Sequence, residues 1–298
     1  MASVKLFHTF DQQLALLASR GMDIGDHDLA IEHLSNVNYY RLSGYWYPFR
    51  RLVDGRRGDD FYPGTTLSDV IRLYHFDAAL RTMAFASLAT IELTVRAALG
   101  HALGDVGQCI HLEPDHLNAR ARAGEQYARW RRRYERELDE SREDFVVHHR
   151  EKYSGVLPVW AAVEVLDWGS LTRLYGFAPR EVQEAVAAEF GLRGPQLESW
   201  MKSLNIVRNV CAHHGCLFNR VFALVPKLPQ AGRYPELDRA APFSRTFGQL
   251  TLIQFLLKQR SLKRSGLPAV LGTFPSMRLL PSRSIGAPDD WAASPLWH

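Results

Sequence analysis

Cysteine is scarce in this chain: Cys109, Cys211 and Cys216 are the three in 298 residues. So odd and sparse a set excludes a disulfide framework and predicts a reducing compartment. Long uncharged apolar runs are missing too, since no stretch reaches the roughly 18 residues that a membrane span needs. The start, MASVKLFHTFDQQ, lacks the apolar core of a secretory signal. A soluble, cytoplasmic protein without a membrane partner is expected. There is no glycine-rich phosphate loop, because GRRG at 55–58 fits no fingerprint and reads as a turn. Internal repeats and sustained strand-like alternation are absent. Nor does one sign of charge dominate: 36 Lys and Arg face 32 Asp and Glu, a net charge of +4. That balance permits an anionic partner without requiring one, and weakly favours nucleic acid.

What the sequence does hold is helical periodicity. Apolar residues make up 46% of the chain, enough to bury a core. They recur every three or four residues from Phe10 to Leu34, through 67–102, across 159–192, at 196–214 and at 244–264. The fold class is therefore all-α. The longest helix should run about thirty residues from an N-cap at Ser68, with Asp77–Arg81 and Glu92–Arg96 as i,i+4 ion pairs. Residues 118–153 are dense in both charge signs and read as a solvated helical insertion. The competing reading is an RNA-gripping arm built on Arg129, Arg131, Arg132, Arg133 and Arg136, which the acidic residues at 135–144 weaken. After Ser265 a proline-containing tail ends in DDWAASPLWH, whose tryptophans and leucine should dock it on the body.

The stretch RNVCAHHG, 208–215, concentrates chemistry at a helix end. On an ideal helix with Asn205 at zero, Arg208 falls near −60°, Ala212 near −20°, Asn209 near +40° and His213 near +80°, a shared polar face. Trp200, Leu204, Val207 and Cys211 gather between about 200° and 260° as the core stripe, and His214, near 180°, sits at its edge. Ala212 leaves room for an anion between Arg208 and His213, and Asn209 is placed one turn before His213 to orient its imidazole. Gly215 is the expected left-handed terminator. An Arg, Asn and His on one polar face are also ordinary for a surface helix. Zinc is disfavoured, because Cys211, His213, His214 and Cys216 within six residues do not form two separated ligand pairs. A cysteine nucleophile is disfavoured because Cys211 turns into the apolar stripe.

Seven segments together carry a family resemblance: LLASRGMDI (16–24), NVNYYRLSGYWYPF (36–49), IELTVR (91–96), LPVW (157–160), WGSLTRLY (168–175), RNVCAHHGCLFNR (208–220) and DDWAASPLW. In this order they resemble the Abi family of bacterial abortive-infection proteins, of the AbiD and AbiF type. The resemblance implies a HEPN-like helical bundle, defined by an arginine followed after four to six residues by a histidine. Its layout would be a single domain over 1–298: an N-terminal helical segment to about residue 60, a helical core at 65–265 carrying the insertion 118–153, and a tail at 266–298. Arg208 and His213 match the motif with four residues between them, and Asn209 fits the polar residue usual after the arginine. His214 satisfies the permitted spacing too, so the pattern does not choose between the histidines, whereas the helical wheel favours His213.

The function so implied is a metal-independent endoribonuclease of phage defence, with no cofactor, an RNA substrate and, for some members, a small regulatory RNA. Taken as the chain's single copy of the motif, Arg208 to His213 implies a homodimer. The alternative is a non-catalytic RNA-binding or regulatory module. Glu92 and Arg96 are read as a helix ion pair or as positioning residues for Arg208, with His214 a further supporting candidate. Tyr39, Tyr40 and Arg41 read as packing or as an RNA contact, and Asn219 and Arg220 as helix-end or phosphate ligands.

Overall fold

The computed structural model describes residues 4–262 and 265–298, so the last two positions of the helical span expected at 244–264 lie outside the described residues. The fold is mainly α. The order is α1 (Phe10–Ser19), α2 (His27–Asn36), α3 (Tyr39–Trp46), a hairpin of β1 (Arg50–Val53) and β2 (Arg56–Phe61), α4 (Leu67–Val106), α5 (Ala119–Arg122), α6 (Glu125–Glu140), α7 (Asp144–Lys152), α8 (Val159–Val165), α9 (Trp168–Phe177), α10 (Arg180–Ala188), α11 (Gly194–Ala212), α12 (Pro235–Asp238), α13 (Thr246–Gln259) and α14 (Leu267–Gly272). The expected helical spans break where caps intervene. Asp26 caps α2 by accepting from the Leu29 amide, and Asp167 caps α9 by accepting from Ser170.

Two expectations about the first third are corrected. The N-terminal segment is not wholly helical, because β1 and β2 close it as an antiparallel hairpin. Asp54 and Gly55 at its turn both have positive φ, the conformation that a tight two-residue hairpin turn demands. GRRG thus gives the turn Gly55 alone; Arg56, Arg57 and Gly58 already belong to β2.

The N-cap of α4 is Thr66, whose hydroxyl accepts from the Asp69 amide, rather than Ser68. At 40 residues α4 also outruns the expected thirty. It continues through Gly100 and Gly104 because those glycines receive α8. A Cβ at Gly100 would lie 3.0 Å from Val163 Cγ2, and one at Gly104 would lie 2.9 Å from the Trp160 ring. By length and composition α4 could cross a membrane, yet half of its most apolar window is buried inside the protein. It serves as the central core helix, with Leu73, Leu80, Ala84, Leu88 and Leu99 fully enclosed.

The charged stretch 118–153 is not a solvated excursion. Tyr127, Trp130 and Tyr134, spaced three and four apart on α6, are buried, and the Trp130 indole donates to the Ser170 carbonyl of α9. Three of the five arginines of α6 pair along the helix, Arg131 with Glu135 and Arg133 with Glu137 at 2.7 Å each, and Arg129 with Glu125 at 3.5 Å. The tail docks as expected. Trp297 stacks on Phe247 of α13 at 5.1 Å, and Gln254 of α13 donates to the Leu296 carbonyl.

Candidate functional site

The site is built around the C-terminal end of α11. Trp200, Leu204, Val207 and Cys211 are buried as the helical wheel requires, which leaves Asn209 and His213 exposed and Asn205 and Arg208 half-buried. Two backbone bonds terminate the helix: Gly215 N–H donates to the Val210 carbonyl and His214 N–H to the Cys211 carbonyl. This is the Schellman arrangement, with His214 in the left-handed position at φ +54. Gly215, expected there, instead makes the close approach beyond it, since a Cβ at 215 would meet Val210 Cγ1 at 3.2 Å. His214 is accordingly exposed, not at the edge of the core stripe. His213, the C-cap residue, presents its imidazole to solvent one step earlier.

Arg208 leaves this helix towards α4. Its guanidinium lies 5.7 Å from the Phe85 ring centroid, and its Nη1 donates to Asn209 Oδ1 over a long 3.4 Å. No carboxylate pairs with it among the described residues, and its Nε is enclosed without an acceptor. Asn209 thus touches Arg208 rather than orienting His213; residues 209 and 213 are joined through the backbone. A second arginine arrives from α3, where Arg41 donates through Nη1 to the His214 carbonyl. Three elements therefore meet at the motif: α11 gives Arg208, Asn209 and His213, α3 gives Arg41, and α4 gives the ring under Arg208.

Asp77 locks this junction, in a role that its i,i+4 spacing to Arg81 did not disclose. Its fully buried carboxylate accepts from the Tyr45 hydroxyl at 2.6 Å, from Arg81, and from the amides of Leu217 and Phe218 at 3.2 and 2.7 Å. Burial holds its carboxyl above its ordinary value, against the opposing pull of Arg81, Tyr45 and the two amides. Every partner is a donor, the geometry of an ionised carboxylate. One group thereby ties α3, α4 and the chain leaving the motif. A sequence signal existed: Asp77 stands between Leu73 and Leu80 in the apolar stripe of α4, where a charge must find partners.

The remaining candidates are distributed elsewhere. Glu92 and Arg96 do pair, at 2.5 Å, but Arg96 also donates to the Val163 carbonyl, so the pair anchors α8 and has no contact with Arg208. Tyr39 packs edge-on against Trp46 at 4.8 Å, whereas Tyr40 is exposed. Asn219 accepts from Arg245 at 3.1 Å, and Arg220 donates to the Cys216 carbonyl at 3.1 Å. Both serve the fold beyond the helix end. Burial pushes the Cys211 and Cys216 thiols up to about 12, which leaves neither as a thiolate nucleophile near neutral pH. No three His, Cys, Asp or Glu side chains cluster as a metal site among the described residues.

Residues 32–219 match the family described as Abi-like protein. The chain belongs to the Abi-like family. No curated protein and no solved structure matches it. The matched span begins within α2 and ends at Asn219, so it contains α3, α4 and α11, the three elements that assemble the site. Abi-like membership associates the chain with abortive infection, a form of phage defence. Helix α13 and the docked tail lie beyond the matched span.

Proposed function

We propose that this Abi-like protein is a metal-independent endoribonuclease of the HEPN type, acting as a toxin-like effector in phage defence. The observation that carries the reading is the guanidinium of Arg208, unpaired with any described carboxylate and braced on Phe85, on the same helix end as the exposed imidazole of His213. An unpaired arginine suits a phosphate oxygen, and imidazole is the side chain suited to both halves of a proton transfer.

In the proposed reaction the ribose 2′-oxygen attacks the adjacent phosphorus as His213 takes its proton. The bond from phosphorus to the 5′-oxygen breaks, and a second imidazole protonates that leaving oxygen. The products are a 2′,3′-cyclic phosphate and a free 5′-hydroxyl. Arg208 holds the phosphate and stabilises the negative charge that builds in the transition state.

The end of α11 carries one such pair, so the second imidazole comes from a second copy across a two-fold axis. The face of α4 that continues from Phe85 supports this. Phe85, Ala89, Leu93 and Ala97 follow at four-residue spacing, all exposed, and Leu93 is 61% accessible. Small residues alternating with larger apolar ones suit close helix contact, and the stripe starts at the ring that carries Arg208. Single-stranded RNA cleavage by wild-type, Arg208→Ala and His213→Ala chains tests the proposal. Each variant should lose at least a hundredfold in rate, and wild-type dimers mixed with Arg208→Ala chains should lose far more than half. RNA binding with no cleavage by the wild type would replace the enzyme with a binding module.

A further inference from the structure

Beyond the motif, α11 borders a cleft of about 260 Å³ that it shares with α5, α6 and α9. Four cations from these four helices line it: Arg120, Arg129, Arg173 and Lys202. A single carboxylate, Glu198, lies at its buried side, accepting from Arg120 and Lys202 at 2.6 Å each. Gly176 permits that grouping, because a Cβ there would stand 3.1 Å from Glu198 Oε1. Burial alone would raise the Glu198 carboxyl, but the hydrogen bonds from Lys202 and Arg120 outweigh it and hold it below its ordinary value. Arg129 has only a 3.5 Å contact with the exposed Glu125, and Arg173 has no carboxylate partner among the described residues. Counting both glutamates, the cleft keeps two positive charges in excess.

Such convergence repels itself unless an anion occupies it, and guanidinium groups approaching from separate elements can bind several oxygens of one phosphate. The placement relative to the motif adds a direction. On an ideal helix Lys202, Asn209 and His213 fall within about 40° of one another, with Lys202 roughly 10 Å before Asn209 and roughly 16 Å before His213 along α11. The cleft therefore opens on the same side of α11 as the reactive end. Between them, Arg133 of α6 bonds Asp167 at 2.6 Å, at the start of α9.

We propose that this cleft is a phosphate site that grips the RNA backbone beside the scissile bond, with Arg129 and Arg173 as its principal ligands. The assignment rests on the endoribonuclease reading for its choice of RNA, and on the cleft itself for its choice of phosphate. It gives the charged insertion a purpose: the aromatic stripe of α6 docks the helix so that Arg129 faces α11.

The test measures binding apart from cutting. Fluorescence anisotropy of a labelled single-stranded RNA would be followed on full-length His213→Ala protein, with and without Arg129→Gln plus Arg173→Gln, across a salt series. The expected result is a loss of about tenfold in affinity at ~0.1 M salt, with the logarithmic salt slope shallower by about one to one and a half. A matched melting temperature would show that the double variant is folded. Unchanged affinity and slope would overturn the proposal even if the wild type cleaves RNA. A loss of binding by the double variant, where the wild type fails to cleave, would keep the site and reject the enzyme. Inorganic phosphate and a mononucleotide serve as the second arm, read by thermal shift. Stabilisation by them that the double variant loses, with RNA affinity intact, would make the cleft a free-phosphate site and overturn its assignment to RNA.

Discussion

His214 holds a backbone conformation that costs an ordinary L-residue about 1–2 kcal/mol, and its ring is exposed. His214→Gly should therefore raise stability by about 1 kcal/mol and, under the proposed reaction with His213 as the reacting imidazole, leave RNA cleavage intact. Urea unfolding and a cleavage assay on the same preparation check both halves. Lost cleavage with a normal unfolding curve would move the reaction to His214. His111 makes a different prediction. Burial, aided by the charge of Arg131, lowers its pKa to about 4, and no part of the residue is accessible. Between its ordinary value of 6.5 and about 4, the unfolded chain takes up a proton that the folded chain refuses. Stability should thus fall as pH falls through that window, by roughly 2 kcal/mol from pH 7 to pH 5. His111→Asn should remove this part of the slope in paired urea titrations; an equal slope would contradict it. The residues of the motif were legible because their sorting into buried and exposed follows from a 100° step. The conformation at 214 was not, because glycine is the usual left-handed residue and one stood next door.

Among the elements, α4 receives α8 against Gly100 and Gly104, and their contact depends on glycine. Gly104→Val should cost roughly 1–3 kcal/mol, because the added atoms meet the Trp160 ring and neither helix can withdraw without breaking the Arg96 bond to Val163. Thermal unfolding measures this, and a variant as stable as the parent would show that the helices can part freely. The long helices were legible from their apolar period, and the hairpin was not. Residues of β1 and β2 are mostly exposed and charged, so no alternation marks them, and only the Asp54–Gly55 pair signals the turn. Helix α6 departs from the solvated helix expected there for a related reason. Its mean character is charged, while its docking rests on three aromatics whose spacing, 127, 130 and 134, outweighs composition.

For the molecule as a whole, the hub at Asp77 and the docked tail show two routes to one core. The tail was legible because tryptophans in a polar stretch need a surface to cover, and Phe247 supplies it. The hub was not, because its partners Tyr45, Leu217 and Phe218 lie 32, 140 and 141 residues away in sequence. The same distance problem hid the contact of Arg41 with the end of α11 and the cleft that gathers cations from four helices. A site whose parts come from three elements of one chain, and which the proposed reaction completes with an imidazole from a second copy, is tested most sharply in the chemistry of the cut. The most direct measurement uses wild-type protein in EDTA with a single-stranded RNA and its twin carrying one 2′-deoxy nucleotide at the cut site, with the product ends identified by mass. Cleavage of the first to a 2′,3′-cyclic phosphate and a 5′-hydroxyl, with none at the modified position of the second, is the predicted result. Cutting at the deoxy position, or activity that disappears with the metal, would contradict attack by the 2′-hydroxyl through His213 and Arg208.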